Sequence, residues 1–251
     1  LSWASSLLAV IAVGALVSGA SALNCWYERN TDALMRRTRN RPIPAGRLSP
    51  GAAVVWGAAL CALSMAVLAL VFSPLSGLLG FIALVSYVWI YTPMKRLSPD
   101  ALFVGAFPGA APPLIAWTAV TGRMDLVGIA LFAVLFVWQL PPVLASADLC
   151  RADYAAAGLR VHPVTHGIRS TKRAAVFWAA VQLPVSLLLV FLGAASWLYA
   201  VAAVVGGFIY VRAAWKWLPE EEGTEQARRL MFASVIYLGL VFSALLLDAA
   251  W

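Results

Sequence analysis

Charged residues are scarce in this chain of 251 residues, since Asp, Glu, Lys and Arg make up only 12% of it. Soluble domains carry about 25% charged residues, so the scarcity excludes a water-soluble fold. The net charge of +7 does not indicate a nucleic-acid-binding protein, because membrane topology accounts for the excess of Lys and Arg. The three cysteines, Cys25, Cys61 and Cys150, lack metal-ligand spacing and predict no disulfide framework.

Long apolar runs occupy most of the chain, and 63% of its residues are hydrophobic. A helix of about 20 apolar residues crosses a bilayer, and the alternation typical of a membrane β-barrel is missing. The sequence therefore predicts an all-α, polytopic membrane helical bundle in which residues 1–251 form a single integral-membrane domain. We expect eight transmembrane helices, at residues 2–23, 51–73, 75–94, 101–120, 126–147, 174–194, 196–211 and 230–247. The short run 196–211 needs Arg212 or its neighbours to complete the span by snorkelling.

Basic residues lie almost entirely on one side of this predicted topology. Alternating connections place residues 24–50, 95–100, 148–173 and 212–229 together, and of the 18 Lys and Arg residues only Arg123 lies on the other side. The positive-inside rule makes the basic side cytoplasmic. The middles of the spans contain no ionisable residue, which disfavours an ion-coupled transporter. Polar chemistry at the cytoplasmic helix ends suits an amphiphilic substrate instead.

The first cytoplasmic segment carries an amide and two carboxylates at four-residue intervals. If the first helix continues past Asn24, then Asn24, Glu28 and Asp32 share one face of it. Such oxygen donors can hold Mg²⁺, a cation that favours substrate phosphates. Arginines that can donate to phosphate oxygens follow at Arg36, Arg37, Arg39 and Arg41. The alternative is that these arginines only anchor the chain at the membrane surface.

A second polar segment follows a later span on the same side. It contains four side chains that suit phosphate or metal binding: Asp148, Arg151, Asp153 and Tyr154. Two acidic helix ends that face one compartment can converge on one metal-bridged diphosphate; solvated loop charge is the alternative for Asp148 and Asp153. Between the two segments, Tyr91, Lys95 and Arg96 place a phenol and two cations at another helix end.

These segments resemble those of the UbiA-type intramembrane prenyltransferases. The first signature runs from Asn24 to Asp32 and continues as Arg37-Thr-Arg-Asn-Arg41-Pro42. A narrower resemblance, to the protohaem IX farnesyltransferases (haem O synthases) of that superfamily, rests on four later segments: Tyr91-Thr with Lys95-Arg96, Gly109-Ala-Ala-Pro-Pro113, Trp138-Gln139-Leu-Pro141, and Asp153-Tyr154. The chain departs from the family pattern at Glu28 (usually Asp), Pro142 (usually His) and Ala152 (usually acidic).

The resemblance implies an enzyme of haem biosynthesis with a nine-helix UbiA-like fold, and hence a further helix upstream of Leu1. It implies Mg²⁺-dependent transfer of a farnesyl group from farnesyl diphosphate to a vinyl group of haem B, giving haem O and diphosphate. It also implies a bacterial plasma (inner) membrane location with the active site on the cytoplasmic side and no nucleic-acid partner. The alternatives are prenyl transfer to an aromatic or quinone precursor, and a non-catalytic membrane transporter or assembly factor.

The same resemblance assigns roles to individual residues. Glu28, Asp32 and Asp153 are expected to bind Mg²⁺, and they form the catalytic group together with Asn24 and Lys95. The expected diphosphate-binding residues are Arg37, Arg41, Arg96, Tyr91, Tyr154 and Arg151. The expected acceptor-pocket residues are Trp138 and Gln139.

Overall fold

The computed structural model describes residues 2–219 and 224–248, and every regular element in these ranges is helical. In chain order the helices are α1 (Trp3–Asp32), α2 (Pro50–Phe72), α3 (Pro74–Met94), α4 (Ala101–Thr121), α5 (Leu126–Leu149), α6 (Arg151–Ala156), α7 (His162–Thr165), α8 (Gly167–Phe191), α9 (Trp197–Trp217) and α10 (Thr224–Asp248). Within the described residues, all of these except the short α6 and α7 are long and apolar enough to cross a membrane. The predicted fold class and the prediction of eight spans are confirmed.

Several helices extend beyond the apolar runs that predicted them. Helix α1 continues to Asp32, as the spacing of its polar residues requires, and α8 begins at Gly167 rather than at residue 174. Helix α9 continues past Arg212 to Trp217, so the run 196–211 belongs to a helix of 21 residues. The expected bounds of these helices were too short because a helix can continue into the polar interface, where its charged side chains meet water.

Helix starts follow local sequence signals. Ser49 and Ser73 each precede a proline, and each side chain accepts a hydrogen bond from a backbone N–H in the first helical turn. Serine at the N-cap and proline at the first helical position are favoured because they satisfy or remove the N–H groups that lack helical partners. These caps fix where α2 and α3 begin.

The described residues divide into two compact units. Unit 1 contains the residues up to Gly128 together with Ala152–Arg160, and unit 2 contains Ile129–Arg151 and the described residues from Val161 onward. In unit 1, α1 and α2 approach closely at Gly19, where a Cβ atom would lie 2.7 Å from the carbonyl oxygen of Gly57. Small residues allow this packing between membrane helices. The expectation of a single domain over residues 1–251 stays a prediction.

Buried aromatic residues form the centre of unit 2. Tyr210 and Tyr237 stack with ring centroids 5.6 Å apart, and the amide nitrogen of Gln182 donates to the Tyr237 hydroxyl at 3.1 Å. Ser186 also hydrogen bonds to that hydroxyl. Interhelical hydrogen bonds of this kind stabilise helix packing in lipid, where no water can replace them.

Candidate active site

The end of α1 carries a buried ion pair with the segment that follows α3. The Nζ atom of Lys95 donates to Oε1 of Glu28 at 2.9 Å, and both side chains are largely buried. The same Nζ atom lies 4.3 Å from the centroid of the Tyr91 ring, a cation–π distance. Burial lowers the pKa of Lys95, but Tyr91 and Glu28 outweigh that effect and raise the pKa above its ordinary value. Lys95 therefore stays positively charged.

A second ion pair, with a buried carboxylate, lies one helical turn further along α1. Arg41 donates to Oδ2 of Asp32 at 2.8 Å, and the Asp32 side chain is only 1% exposed. The Thr38 hydroxyl donates to the backbone carbonyl of Asp32, which folds the arginine segment back against the helix end. Burial lowers the pKa of Arg41, but its hydrogen bond to Asp32 outweighs this and raises the pKa overall.

The second acidic segment contacts the same arginine segment. Oδ2 of Asp153 accepts from the backbone N–H of Arg37 at 3.3 Å, and the Arg37 guanidinium donates to the Tyr154 hydroxyl at 2.9 Å. At the end of this segment, the N–H of Arg160 donates to the carbonyl of Lys95 at 2.8 Å. Unit 1 therefore brings Asp153 and Tyr154 into contact with Arg37, which lies more than one hundred positions earlier in the chain.

Asn24 faces α3 rather than the arginine segment. Its amide nitrogen donates to the Thr92 hydroxyl at 2.8 Å, and that hydroxyl donates to the carbonyl of Tyr87 at 2.8 Å. Asn24 and Thr92 are both buried. The relay lies at the wide helical turn Ser86–Tyr91, an irregular π-type turn of the kind often found at functional sites. Asn24 thus joins α1 to the helix end that carries Tyr91 and Lys95.

Arg96 lies apart from the other expected phosphate-binding cations. Its guanidinium donates to the Thr31 hydroxyl and lines a cavity of about 470 Å³ together with Trp26 and Asn30. These two residues stand two positions before and after Glu28, which places them on the opposite face of α1 at about 100° per residue. The expected contribution of Arg96 to diphosphate binding stays a prediction that this placement does not favour.

Three expected site residues belong to unit 2. The Trp138 indole donates to the carbonyl of Ser234 at 2.7 Å, and the Gln139 amide donates to the carbonyl of Leu135 at 3.0 Å. Arg151 begins α6 and is exposed. The acceptor-pocket role of Trp138 and Gln139 and the phosphate-binding role of Arg151 stay predictions.

The structure adds contacts that the sequence pattern did not predict. A Cβ atom at Gly105 of α4 would lie 2.4 Å from the ring of Tyr91, so only glycine leaves room for that ring. Tyr87 stacks on Tyr91 with centroids 5.7 Å apart. In the sequence, a glycine within an apolar run does not indicate which side chain it will contact. Thr92 could have been considered from the sequence, because it directly follows Tyr91.

The donor set suits a hard divalent cation that is completed by its substrate. Among the described residues, no group of three His, Cys, Asp or Glu side chains surrounds one metal position. Mg²⁺ in phosphate-transfer sites usually takes one or two carboxylates and completes its shell with phosphate oxygens and water. Glu28 and Asp32, four residues apart on α1, can supply those carboxylates. The set of three ligands, Glu28, Asp32 and Asp153, stays a prediction.

Comparison with known proteins identifies the family. The model of the UbiA prenyltransferase family matches residues 1–236. The chain belongs to the UbiA prenyltransferase family. This confirms the predicted class of enzyme, a prenyltransferase, and the apolar helices make it an integral membrane protein.

Curated relatives within this family are similar over nearly the whole chain. The chain is 50% identical over 251 residues to a protoheme IX farnesyltransferase of Anaeromyxobacter sp. (strain Fw109-5), covering 98% of this chain and 83% of the relative. It is 45% identical over 245 residues to the protoheme IX farnesyltransferase of Anaeromyxobacter dehalogenans (strain 2CP-C), with coverage of 98% and 83%. The narrower resemblance seen in the sequence is therefore confirmed.

Solved structures show the same UbiA fold. A digeranylgeranylglyceryl phosphate synthase superposes with a TM-score of 0.80 at 18% identity, over 99% of this chain and 87% of that one. A UbiA homologue from Archaeoglobus fulgidus, bound to GPP and Mg²⁺, superposes with a TM-score of 0.70 at 18% identity, over 97% and 88%. At these identities the likeness is one of fold.

Proposed function

We propose that this chain transfers the farnesyl group of farnesyl diphosphate to a vinyl group of haem B, giving haem O and diphosphate, with Mg²⁺ as cofactor. The observation that carries the proposal is the pair of carboxylates on one face of α1, Asp32 buried and Glu28 largely buried, each held by a cation from a different segment. The choice of acceptor and donor is supported by the name shared by relatives at 45–50% identity. The metal is supported by the Archaeoglobus fulgidus homologue, which binds Mg²⁺ with a prenyl diphosphate.

In each of the two ion pairs, a cation neutralises a carboxylate. A metal can replace the cation as partner of the carboxylate, and a diphosphate can replace the carboxylate as partner of the cation. Lys95 neutralises Glu28, and Arg41 neutralises Asp32. Lys95 and Arg41 can donate to the phosphate oxygens of the substrate, and Glu28 and Asp32 would hold Mg²⁺. Bound Mg²⁺ would supply positive charge that stabilises the departing diphosphate. Arg37, held in place by Asp153 and Tyr154, adds a further phosphate donor.

The proposed reaction breaks the bond between C1 of the farnesyl chain and the diphosphate oxygen. Both electrons of that bond leave with the diphosphate, and the allylic cation that remains is attacked by the haem vinyl group. A carbon–carbon bond forms at C1, and water then adds to the resulting cation and loses a proton to give the hydroxyl of haem O. The fixed cations Lys95, Arg41 and Arg37 stabilise the negative charge that develops on the leaving group.

The proposed location is the bacterial plasma membrane, with the active site on the cytoplasmic side. The relatives that share the function name are bacterial. Both ion pairs lie at the basic ends of the helices, the ends that the positive-inside rule assigns to the cytoplasm. Farnesyl diphosphate can then bind with its charged head toward the cytoplasm and its tail among the helices.

The acceptor is tested by product identity. Membranes containing the full chain are incubated with farnesyl diphosphate, Mg²⁺ and either haem B or 4-hydroxybenzoate, and the products are identified by mass spectrometry. We expect haem O from haem B and no prenylated benzoate, with the product lost when Mg²⁺ is chelated. Prenylated benzoate without haem O would contradict the proposed acceptor and leave prenyl transfer itself intact.

A further inference from the structure

A cavity in unit 2 is outside the proposed catalytic machinery. It lies between the beginning of α8 and the end of α9, has a volume of about 340 Å³, and is lined by Arg169, Arg173, Trp215, Leu218 and Pro219. Its lining therefore combines two cations, an indole and apolar carbons. Cavities of this size accommodate small ligands or parts of larger amphiphiles.

The two guanidiniums of this cavity can donate to an anionic ligand. Arg169 and Arg173 are both exposed and lie four residues apart, so their side chains project from one face of α8. Neither forms an ion pair with a described residue. Like charges at this spacing repel each other, and an anion between them removes that repulsion. Guanidinium groups suit phosphate in particular, because two parallel N–H groups can donate to two of its oxygens.

The rest of the lining suits the region where lipid headgroups meet acyl chains. The Trp215 side chain is 62% exposed, and tryptophan is enriched at that depth of the membrane. Leu218 and Pro219 add apolar surface beside it. A soluble phosphate would use only the arginines, whereas a phospholipid would use both the arginines and this apolar surface.

The cavity near α1 in unit 1 provides a contrast. It also contains a tryptophan and two arginines, Trp26, Arg29 and Arg96. There, however, Arg29 donates to the carbonyl of Trp26 at 2.8 Å and Arg96 donates to Thr31. Because these guanidiniums already have protein acceptors, the cavity of unit 2 is the better site for an external anion.

We propose that the cavity between α8 and α9 binds the headgroup phosphate of an anionic phospholipid, with Arg169 and Arg173 as donors and Trp215 beside the glycerol and upper acyl region. Basic cavities between transmembrane helices on the cytoplasmic side are a recurrent form of lipid site. The occupant is a structural lipid of the surrounding leaflet, and the site is separate from the transfer of the prenyl group.

The test measures lipid retention by native mass spectrometry. The full chain, purified in detergent, is incubated with dioleoylphosphatidylglycerol or dioleoylphosphatidylcholine, and retained lipid is counted for the parent chain and for Arg169→Gln/Arg173→Gln. We expect the parent chain to retain phosphatidylglycerol preferentially. The double variant should lose affinity for it by about 25-fold, about fivefold for the hydrogen bonds of each arginine.

A matched control removes the same charge from unit 2 outside the cavity. Lys216→Gln/Arg228→Gln changes two exposed basic residues and should retain phosphatidylglycerol like the parent chain. An equal loss in this control would show general surface attraction and contradict a site. Full retention of phosphatidylglycerol by Arg169→Gln/Arg173→Gln would also contradict the site.

A second arm distinguishes the source of the phosphate. Inorganic phosphate or diphosphate is added at increasing concentration to the chain loaded with phosphatidylglycerol. The proposal predicts little displacement, because a free ion lacks the apolar contacts with Trp215 and Leu218. If free phosphate or diphosphate displaced phosphatidylglycerol when its phosphate groups were present at the same concentration as those of the lipid, the cavity would be a site for a free anion. That result would contradict the proposed lipid site. Neither outcome affects the proposed prenyl transfer.

Discussion

Asp32 illustrates how a charged residue is kept ready for a ligand. Its carboxylate is nearly inaccessible to water, yet it is ionically paired with Arg41, which is partly exposed. A buried charge without a partner is costly, so Arg41 stabilises the Asp32 carboxylate in the absence of a metal. The Glu28–Lys95 pair repeats this arrangement one turn earlier on α1.

Substitution of Asp32 tests the importance of its charge. Asp32→Asn keeps the size of the side chain and removes its negative charge. We expect the rate of prenyl transfer to fall by at least about 100-fold, because the loss of one strong electrostatic contact in a transition state has an effect of this size. The rate is measured from haem O formation. Asp100→Asn, the same change at an exposed position, should retain full activity. Equal activity of Asp32→Asn and Asp100→Asn would exclude a catalytic role for Asp32.

The pKa of Lys95 predicts a specific pH dependence. Because the folded-state pKa is raised above the unfolded value of 10.5, the contribution of this cation to stability is fully present below that value and is lost only at higher pH. Lys95→Gln should therefore lower the midpoint of thermal unfolding by the same amount at every pH between about 6 and 9. An effect of Lys95→Gln that disappears within that interval would show that Lys95 loses its proton there.

At the scale of helices, the end of α3 is positioned by both α1 and α4. The relay from Asn24 through Thr92 holds it from the α1 side. On the α4 side, the absence of a side chain at Gly105 leaves space for the ring of Tyr91. The positions of Tyr91 and Lys95 therefore depend on residues that take no chemical part in the reaction.

Gly105→Ala should weaken catalysis through a steric effect. The added Cβ would push the Tyr91 ring away, and a small displacement near the reacting atoms costs about 10- to 100-fold in rate. Gly239→Ala is the matched control, since it lies within helix α10 and an added Cβ there meets no atom within 4 Å. The control should retain activity and gain up to about 1 kcal/mol of stability. Parent-like kcat/KM in Gly105→Ala would contradict the positioning role.

Removal of the Thr92 hydroxyl should loosen α3 from α1. Thr92→Val leaves the buried Asn24 amide without its acceptor, a loss of about 1–3 kcal/mol in the free energy of unfolding. Thermal unfolding in detergent measures it. Thr165→Val is the control, because the hydrogen bonds of this exposed hydroxyl to described residues are local, with Val161, His162 and His166. Comparable melting temperatures for the two variants would argue against the relay.

At the scale of the whole chain, the distribution of basic residues predicts the orientation in the membrane. A membrane-impermeant maleimide should label Arg123→Cys in intact cells, because this residue follows α4 at the end opposite to the arginine segment. Arg39→Cys, within that segment, should react only after permeabilisation. The parent chain, which contains Cys25, Cys61 and Cys150, corrects for background labelling. The reverse pattern would place the active site outside the cytoplasm.

The sequence was sufficient for the fold and for the shared helical face of Glu28 and Asp32, whose roles stay predictions. Apolar run length determines how many helices can span lipid, and the four-residue spacing of Glu28 and Asp32 follows from helical geometry once α1 reaches Asp32. Sequence reasoning could not reveal that Arg96 bonds to Thr31, because the direction of a long side chain depends on its neighbours in space. The dependence of Tyr91 on Gly105 was hidden for the same reason.

The central claim is that Asp32 and Asp153, from distant parts of the chain, act on one diphosphate. A double-mutant cycle tests it by measuring Mg²⁺-dependent binding of a non-hydrolysable farnesyl diphosphate analogue to the parent chain, Asp32→Asn, Asp153→Asn and the double variant. A second cycle that pairs Asp32→Asn with Asp100→Asn provides the baseline. We predict that the Asp32 and Asp153 losses are non-additive by about 0.5–3 kcal/mol, as for residues that share a ligand. Strictly additive losses, equal to those of the baseline cycle, would contradict the account.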